Sequence, residues 1–163
     1  MKKSIIGILI ISLLLNIVCM IDYFKQKTEL IENSFYSLSN VVLILESFEG
    51  ESNHNEDYAL SMLEKECVNL DMIMNQMCNC CFLYEYSKPF DFSFFELQVE
   101  KAINEERGDI LKSFHKTMKD LKDKMFYSNG KVKNYYSTKG ILKEYEIADQ
   151  YIEKYLYESD DGL

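Results

Sequence analysis

The chain has 163 residues, with 27 Asp and Glu against 18 Lys and Arg, which gives a net charge of −9 at pH 7. A protein this acidic repels nucleic acid and anionic lipid surfaces, so we expect no nucleic-acid partner. The chain has only one Pro and six Gly, so few positions favour a break in a helix. No two Gly are close enough in sequence to form a Gly-rich phosphate loop.

An uncharged apolar segment opens the chain at residues 4–21. Its 18 residues rise about 27 Å as a helix, which is close to the hydrocarbon thickness of a bilayer. It is longer than the apolar stretch of a cleaved signal peptide, which has about 7–15 residues. Residues 1–21 are therefore predicted to be a single-pass signal-anchor in the cell membrane. The alternatives are cleavage after Cys19 and lipid attachment at Cys19, although the preceding Val18 is larger than lipid attachment prefers.

The orientation of the membrane segment follows from the basic residues around it. Lys2 and Lys3 precede the segment, whereas Lys25 and Lys27 follow it among acidic residues. The positive-inside rule then places the N-terminus in the cytoplasm and the following domain outside it. The cysteines at residues 67–81 oppose this orientation, because thiols outside the cytoplasm tend to be oxidised.

Four amphipathic helices are predicted after the membrane segment, in an acidic domain at residues 22–158. The first continues the membrane helix through residues 22–48, because no helix breaker intervenes and apolar residues recur every three or four positions. The second spans residues 55–86 after a turn at residues 50–55, and its apolar residues keep strict heptad register. This stripe is Leu60, Leu63, Cys67, Leu70, Met74, Met77, Cys81 and Tyr84.

The third predicted helix spans residues 93–127. Ser93 and Glu96 fit a capping box at its N-terminus. The apolar stripe lapses at residues 105–108, where Gly108 favours a kink or a frayed turn.

The fourth predicted helix spans residues 138–158, and residues 159–163 are predicted to be a flexible tail. Four amphipathic helices with short connections pack best as an antiparallel four-helix bundle, so the fold class is all-α. The heptad stripe of the second helix leaves an alternative, a dimeric helical coiled coil. The stripe of the fourth helix is Ile141, Tyr145, Ala148, Ile152 and Tyr155.

Residues 72–81 carry six sulfur-bearing side chains in ten positions. Soft ligands of this kind select copper or zinc, and helical spacing places four of them on one side. Met and Cys also serve as core fillers, and a second pair of ligands, typical of structural zinc sites, is missing from the sequence. The candidate metal ligands are Met74, Met77, Cys78 and Cys81.

The same region allows two thiol-based interpretations. Residues 78–81 have CxxC spacing, but a redox CxxC sits at a helix N-terminus, whereas this one lies near a predicted C-terminus. The cysteines beyond the membrane segment all lie on one helix, so an ordinary disulfide would join two chains. The candidates for that interchain disulfide are Cys67, Cys78, Cys80 and Cys81.

No catalytic motif is present. His54 and His115 have no Cys or carboxylate at ligand spacing, and neither HExxH, GxSxG nor CxxCH occurs. We therefore expect neither an enzyme nor a bound cofactor.

Aromatic residues are concentrated in two places. Residues 90–95 contain four Phe, which are predicted to cap one end of the bundle or to touch lipid headgroups. In the last helix Tyr145 and Tyr155 fall on the core stripe, whereas Tyr151 and Tyr157 fall off it. Tyrosines off the stripe favour either a protein interface or a core edge.

A membrane helix that continues into a helical bundle resembles the ligand-sensing half of bacterial transmembrane receptors, which return through the membrane by a second apolar helix. No second apolar segment follows residues 4–21 in this sequence. The function expected from these patterns is a membrane-tethered, non-catalytic module that binds a protein partner or its own copies. The alternatives are a soft-metal or thiol-redox site at residues 72–81 and a small-ligand sensor accessory.

Overall fold

The computed structural model describes residues 2–49, 56–79, 90–133 and 137–160. This part of the chain is all-α, as the sequence predicts, and contains five helices. In chain order they are α1 (Lys2–Glu49), α2 (Glu56–Asn79), α3 (Phe92–Asn104), α4 (Gly108–Met125) and α5 (Thr138–Asp160).

Helix α1 is continuous over 48 residues and spans about 72 Å. Its second half packs into the bundle, where Leu38, Val41 and Leu45 are fully buried. The predicted continuation of the apolar N-terminal helix into the bundle is therefore confirmed.

The helices of the bundle alternate in direction. Helix α1 packs mainly against α2 and α4, and α5 packs against α4. Phe35 of α1 contacts Phe126 at the end of α4, and Glu49 contacts His115 further toward the N-terminus of α4, so these helices run antiparallel. The heptad stripe of α2 is buried inside this bundle from Leu63 to Met77, which removes it as the seam of a dimeric coiled coil.

The prediction of a single helix at residues 93–127 is wrong. The chain reverses at residues 105–107, and α3 folds back so that the rings of Phe95 and Phe114 lie 5.4 Å apart. The break lies at Glu106, whose φ of 55° is left-handed, rather than at Gly108, which is the first residue of α4.

This reversal is a Schellman motif that closes α3. The amide of Glu106 donates to the carbonyl of Ile103 at 3.0 Å, and the amide of Arg107 donates to the carbonyl of Ala102 at 2.8 Å. Both bonds satisfy carbonyls that the end of a helix leaves without partners. A glycine usually occupies the left-handed position of this motif. Because a glutamate stands there in this chain, the sequence lacks the usual signal for the end of the helix.

The capping box predicted at Ser93 is also wrong. The N-cap of α3 is Asp91, whose carboxylate accepts a hydrogen bond from the amide of Phe94 at 3.1 Å. The Ser93 hydroxyl instead donates to Asp71 of α2 at 3.1 Å. Asp is as good an N-cap as Ser, and the structure selects the one that lets Phe92 enter the core.

Most of the phenylalanines at residues 90–95 belong to the buried core. Phe90, Phe92 and Phe95 are buried, and only Phe94 is exposed, at 43%. Phe90 and Phe92 both contact the ring of Tyr145, which places an aromatic cluster between α3 and α5. Three of these four rings are thus unavailable for contact with lipid.

Candidate functional site

A groove with a volume of about 320 Å³ runs between α4 and α5. Leu121, Ile147 and Ala148 give it an apolar lining, and Tyr151 and Tyr155 of α5 also line it. These tyrosines are 56% and 39% exposed, respectively. We call this feature the α4–α5 groove.

The exposure of Tyr155 corrects its predicted place in the core stripe of the last helix. Tyr145, Ala148 and Ile152 of that stripe are buried, but at the next position Leu156 packs against the core instead. An α-helix has 3.6 residues per turn, so a face followed at heptad spacing gradually drifts off the core.

An ion pair lies at one end of the α4–α5 groove. The Lys124 ammonium donates to the Glu144 carboxylate at 2.6 Å, and the Glu144 side chain is only 14% exposed. This contact holds the C-terminal end of α4 against α5 and gives the groove a charged border.

A row of lysines on α4 runs beside the groove. Lys112, Lys116 and Lys119 follow one another at spacings of four and three residues, so they share one exposed helix face. None of the three forms an ion pair within the described part of the chain. We call them the lysine stripe, and they form a basic strip on a protein whose net charge is −9.

A second cleft lies between α1 and α2, close to the N-terminal half of α1. It measures about 390 Å³ and is lined mainly by amide side chains. This open cleft offers hydrogen-bonding side chains, and its described lining contains no Cys, Ser or Thr nucleophile. The lining residues are Gln26, Glu29, Leu30, Asn33, Gln76 and Asn79.

The candidate metal ligands lie on the inner side of α2 where the structure describes them. Met74 and Met77 are fully buried, and Cys78 is half-buried against the core. Over the described residues, no three His, Cys, Asp or Glu side chains come together as a metal site. Cys80 and Cys81 lie outside the described residues, so the complete ligand set stays a prediction.

Cys67 lies inside the bundle and is 1% exposed. Burial raises the pKa of its thiol, and the nearby carboxylates of Glu96, Asp71 and Glu66 raise it further. A buried, protonated thiol is a poor nucleophile, so joining Cys67 to a second chain would require the bundle to open. The predicted interchain disulfide thus depends on Cys78, Cys80 or Cys81.

Glu66, beside Cys67, is a buried carboxylate. It accepts a hydrogen bond from the Asn40 amide at 3.0 Å, which links α2 to α1. This hydrogen bond satisfies one oxygen of the buried carboxylate and positions α2 against α1.

His115 has a carboxylate partner that the sequence does not indicate. Its Nδ1 lies 2.8 Å from the Glu49 carboxylate at the end of α1, 66 positions away in the chain. The side chains are 12% and 26% exposed, and the pair fastens α4 to the end of α1. His54 lies outside the described residues.

The first half of α1 is not covered by any other part of the chain that the structure describes. Its large apolar side chains at residues 6–21 are between 46% and 68% exposed. Within the described residues, α1 is the one helix long and apolar enough to cross a membrane. A signal sequence would have the same properties.

Comparison with protein-family models, with curated proteins and with solved structures finds no match to this chain. The candidate site therefore has to be argued from its own geometry. The sequence placed Tyr151 off the core stripe, but it did not indicate the groove, because the groove forms only when α4 and α5 pack against each other.

Proposed function

We propose that this chain is a membrane-anchored helical module that binds another protein at the membrane surface. The observation that carries the proposal is the continuity of α1, which joins an uncovered apolar segment to a packed bundle without a break. Water disfavours so much exposed apolar surface, and a bilayer would cover it. The bundle is then held at a fixed angle to the membrane, with the N-terminus in the cytoplasm and the bundle outside.

The α4–α5 groove is the proposed binding surface for that partner. Exposed tyrosines combine a large apolar ring with a hydroxyl, and they lose little conformational entropy on binding. The lysine stripe beside the groove adds positive charge that complements an acidic partner. The proposed occupant is accordingly an acidic segment of another protein that inserts apolar side chains between Tyr151 and Tyr155.

Membrane anchoring is tested by extracting membranes with alkaline carbonate and by labelling intact cells with a membrane-impermeant maleimide after mild reduction. The chain is expected to stay in the membrane fraction and to be labelled at residues 78–81. Cys67 serves as an internal control, since its burial should block labelling until the protein is denatured. Release by carbonate would overturn the anchor, and labelling only after lysis would reverse the orientation.

Partner binding is tested with the full-length chain, extracted in mild detergent and separated on a native gel. The wild-type chain is expected to migrate in a complex, and replacing both Tyr151 and Tyr155 by Ala should release it. Tyr58→Ala is the matched control, because Tyr58 is a 66% exposed tyrosine on α2, away from the groove. A wild-type chain that migrates alone, or equal effects of both variants, contradicts the proposal.

The charge of the partner is tested on the same complex. Lys116→Glu reverses one charge of the lysine stripe and should weaken the complex more than Lys65→Glu, which changes an exposed lysine of α2. Added salt should weaken the wild-type complex, because salt screens exposed charges beyond about 8–10 Å. A complex that is insensitive to both changes would mean that the partner is not acidic.

A further inference from the structure

Hydrogen-bond donors interrupt the apolar half of α1. Between Gly7 and Ile21 the donor-bearing side chains are those of Ser12, Asn16 and Cys19, and all three are exposed. At 100° per residue they fall within an arc of about 60°, so they form one polar face on an otherwise apolar helix. We call them the polar face.

The polar face is aligned with the side of α1 that the bundle covers. Ser12, Asn16 and Cys19 each lie 18 residues before a residue of the bundle, and 18 residues make about five whole turns. Those residues are Leu30, Ser34 and Ser37, of which Ser34 and Ser37 are buried and Leu30 packs against the core. The polar face therefore lies directly beneath the bundle.

Asn16 needs a partner in the membrane. Ser12 and Cys19 can each donate to a carbonyl of the preceding helical turn. An asparagine amide has two N–H donors and an oxygen acceptor, which is more than its own helix can satisfy, and lipid chains offer it nothing. Asn16 lies five residues before Ile21, about 7 Å deep, which is too far for its short side chain to reach the headgroups.

We infer that the polar face binds a transmembrane helix of another protein, one that carries a hydrogen-bonding side chain at the depth of Asn16. This inference rests on the proposed membrane anchor. Membrane helices associate through polar side chains and small residues. Lipid chains and apolar side chains are equally apolar, so the hydrophobic effect does not drive one helix against another.

A second copy of this chain does not fit the polar face. Two straight helices in contact lie about 8–10 Å apart. The bundle extends from α1 on the same side as the polar face, and α2 faces Gln26 and Asn33 of α1 across the cleft that both helices line. Two copies in the same orientation would push their bundles into each other. The occupant is therefore a helix that ends at, or has only a short extension beyond, the membrane surface beneath the bundle.

The inference is tested by photo-crosslinking in native membranes, with the full-length chain carrying a photoreactive amino acid at one position at a time. Probes at residues 12 and 19 should give a discrete adduct with another protein. Probes at residues 14 and 21, on the opposite side of the helix, should give none. The adduct should be lost when Asn16 is replaced by Leu and kept in Asn16→Gln, which preserves the amide.

Each other result overturns the inference in an identifiable way. An adduct of twice the mass of the chain means that a second copy occupies the polar face. Equal adducts from all four positions, or none from any, mean that no partner helix selects this face. Carbonate extraction of the same membranes separates these results from a failure of the anchor, and a native gel of the Tyr151→Ala/Tyr155→Ala variant separates them from a failure of the groove.

Discussion

The hydroxyl groups of Ser34 and Tyr145 lie 3.0 Å apart inside the bundle, although 111 positions separate the two residues in the chain. Both side chains are fully buried, and the bond joins the first helix of the bundle to the last. It also lies beside the aromatic cluster, because the ring of Tyr145 contacts Phe90 and Phe92.

Removing either hydroxyl leaves the other buried without its partner. Tyr145→Phe and Ser34→Ala should each lower the free energy of unfolding by about 1–2 kcal/mol. The double variant should cost less than the sum of the two, since no unpaired hydroxyl then remains. Urea unfolding of the full-length chain in detergent gives the free energy of unfolding of the wild type, the two single variants and the double variant. If the losses of the single variants simply add in the double variant, the bond contributes nothing to stability.

The stability of the protein should depend on alkaline pH through the same tyrosine. Burial raises the pKa of Tyr145 above its ordinary value of 10.0, and the bond from Ser34 offsets only part of this effect. Above pH 10 the unfolded chain loses the phenolic proton while the folded chain keeps it, so stability falls as pH rises.

Tyr145→Phe removes this dependence and isolates it from the other tyrosines. The difference in unfolding free energy between wild type and Tyr145→Phe should be constant near pH 7–9. It should then narrow by up to about 1.4 kcal/mol per pH unit above pH 10. A difference that stays constant to pH 11 would mean that the phenol ionises equally in both states.

Position 130 requires a glycine, both because of its backbone conformation and because the Phe35 side chain packs against it. It adopts a φ of +80° in the turn after α4, and an added Cβ would lie 2.9 Å from Cδ1 of Phe35. Gly130→Ala should therefore destabilise the protein by about 1–3 kcal/mol in urea unfolding. Gly108→Ala is the matched control, because open space surrounds that position, and it should be neutral or slightly stabilising. Equal effects of the two changes would contradict the packing of this turn on α1.

Replacing Glu106 by glycine should stabilise the protein. Its left-handed backbone is strained for a side chain with a Cβ, and the side chain itself is exposed. Glu106→Gly should raise the free energy of unfolding by up to about 1 kcal/mol, partly offset by the greater freedom of glycine in the unfolded chain. Glu105→Gly, at a residue whose φ is −94°, should instead be neutral or destabilising. Thermal unfolding of both variants decides whether the reversal lies at residue 106.

The start of α3 distinguishes Asp91 from Ser93. Asp91→Ala removes the N-cap and should cost about 1 kcal/mol, whereas Asp91→Asn should keep most of that stability. Ser93→Ala removes only an exposed bond to Asp71 and should change the unfolding free energy by less than about 0.5 kcal/mol. If urea unfolding showed a larger loss of stability for Ser93→Ala than for Asp91→Ala, the capping box predicted from the sequence would be supported instead.

The sequence by itself determined the helical class, the uninterrupted first helix and most of the buried stripes. Apolar periodicity reports which side of a helix is buried, and it did so correctly for Leu63 and Leu70 on α2 and for Tyr145 and Ile152 on α5. These predictions succeeded because the period of a helix is a local property that does not depend on its neighbours.

Only the tertiary structure decided where the chain reverses and which helices meet. The lapse of the apolar stripe at residues 105–108 indicated only a kink or a frayed turn, because a glutamate at a left-handed position does not signal a helix end. Residues 93–127 were therefore predicted as one helix, and the contact of Phe95 with Phe114 was not foreseen. The Glu49–His115 pair and the Ser34–Tyr145 bond join helices that are distant in sequence, and the α4–α5 groove forms between two consecutive helices only once they pack. Their existence depends on how complete helices pack, and that is set by the sum of many weak contacts rather than by any motif.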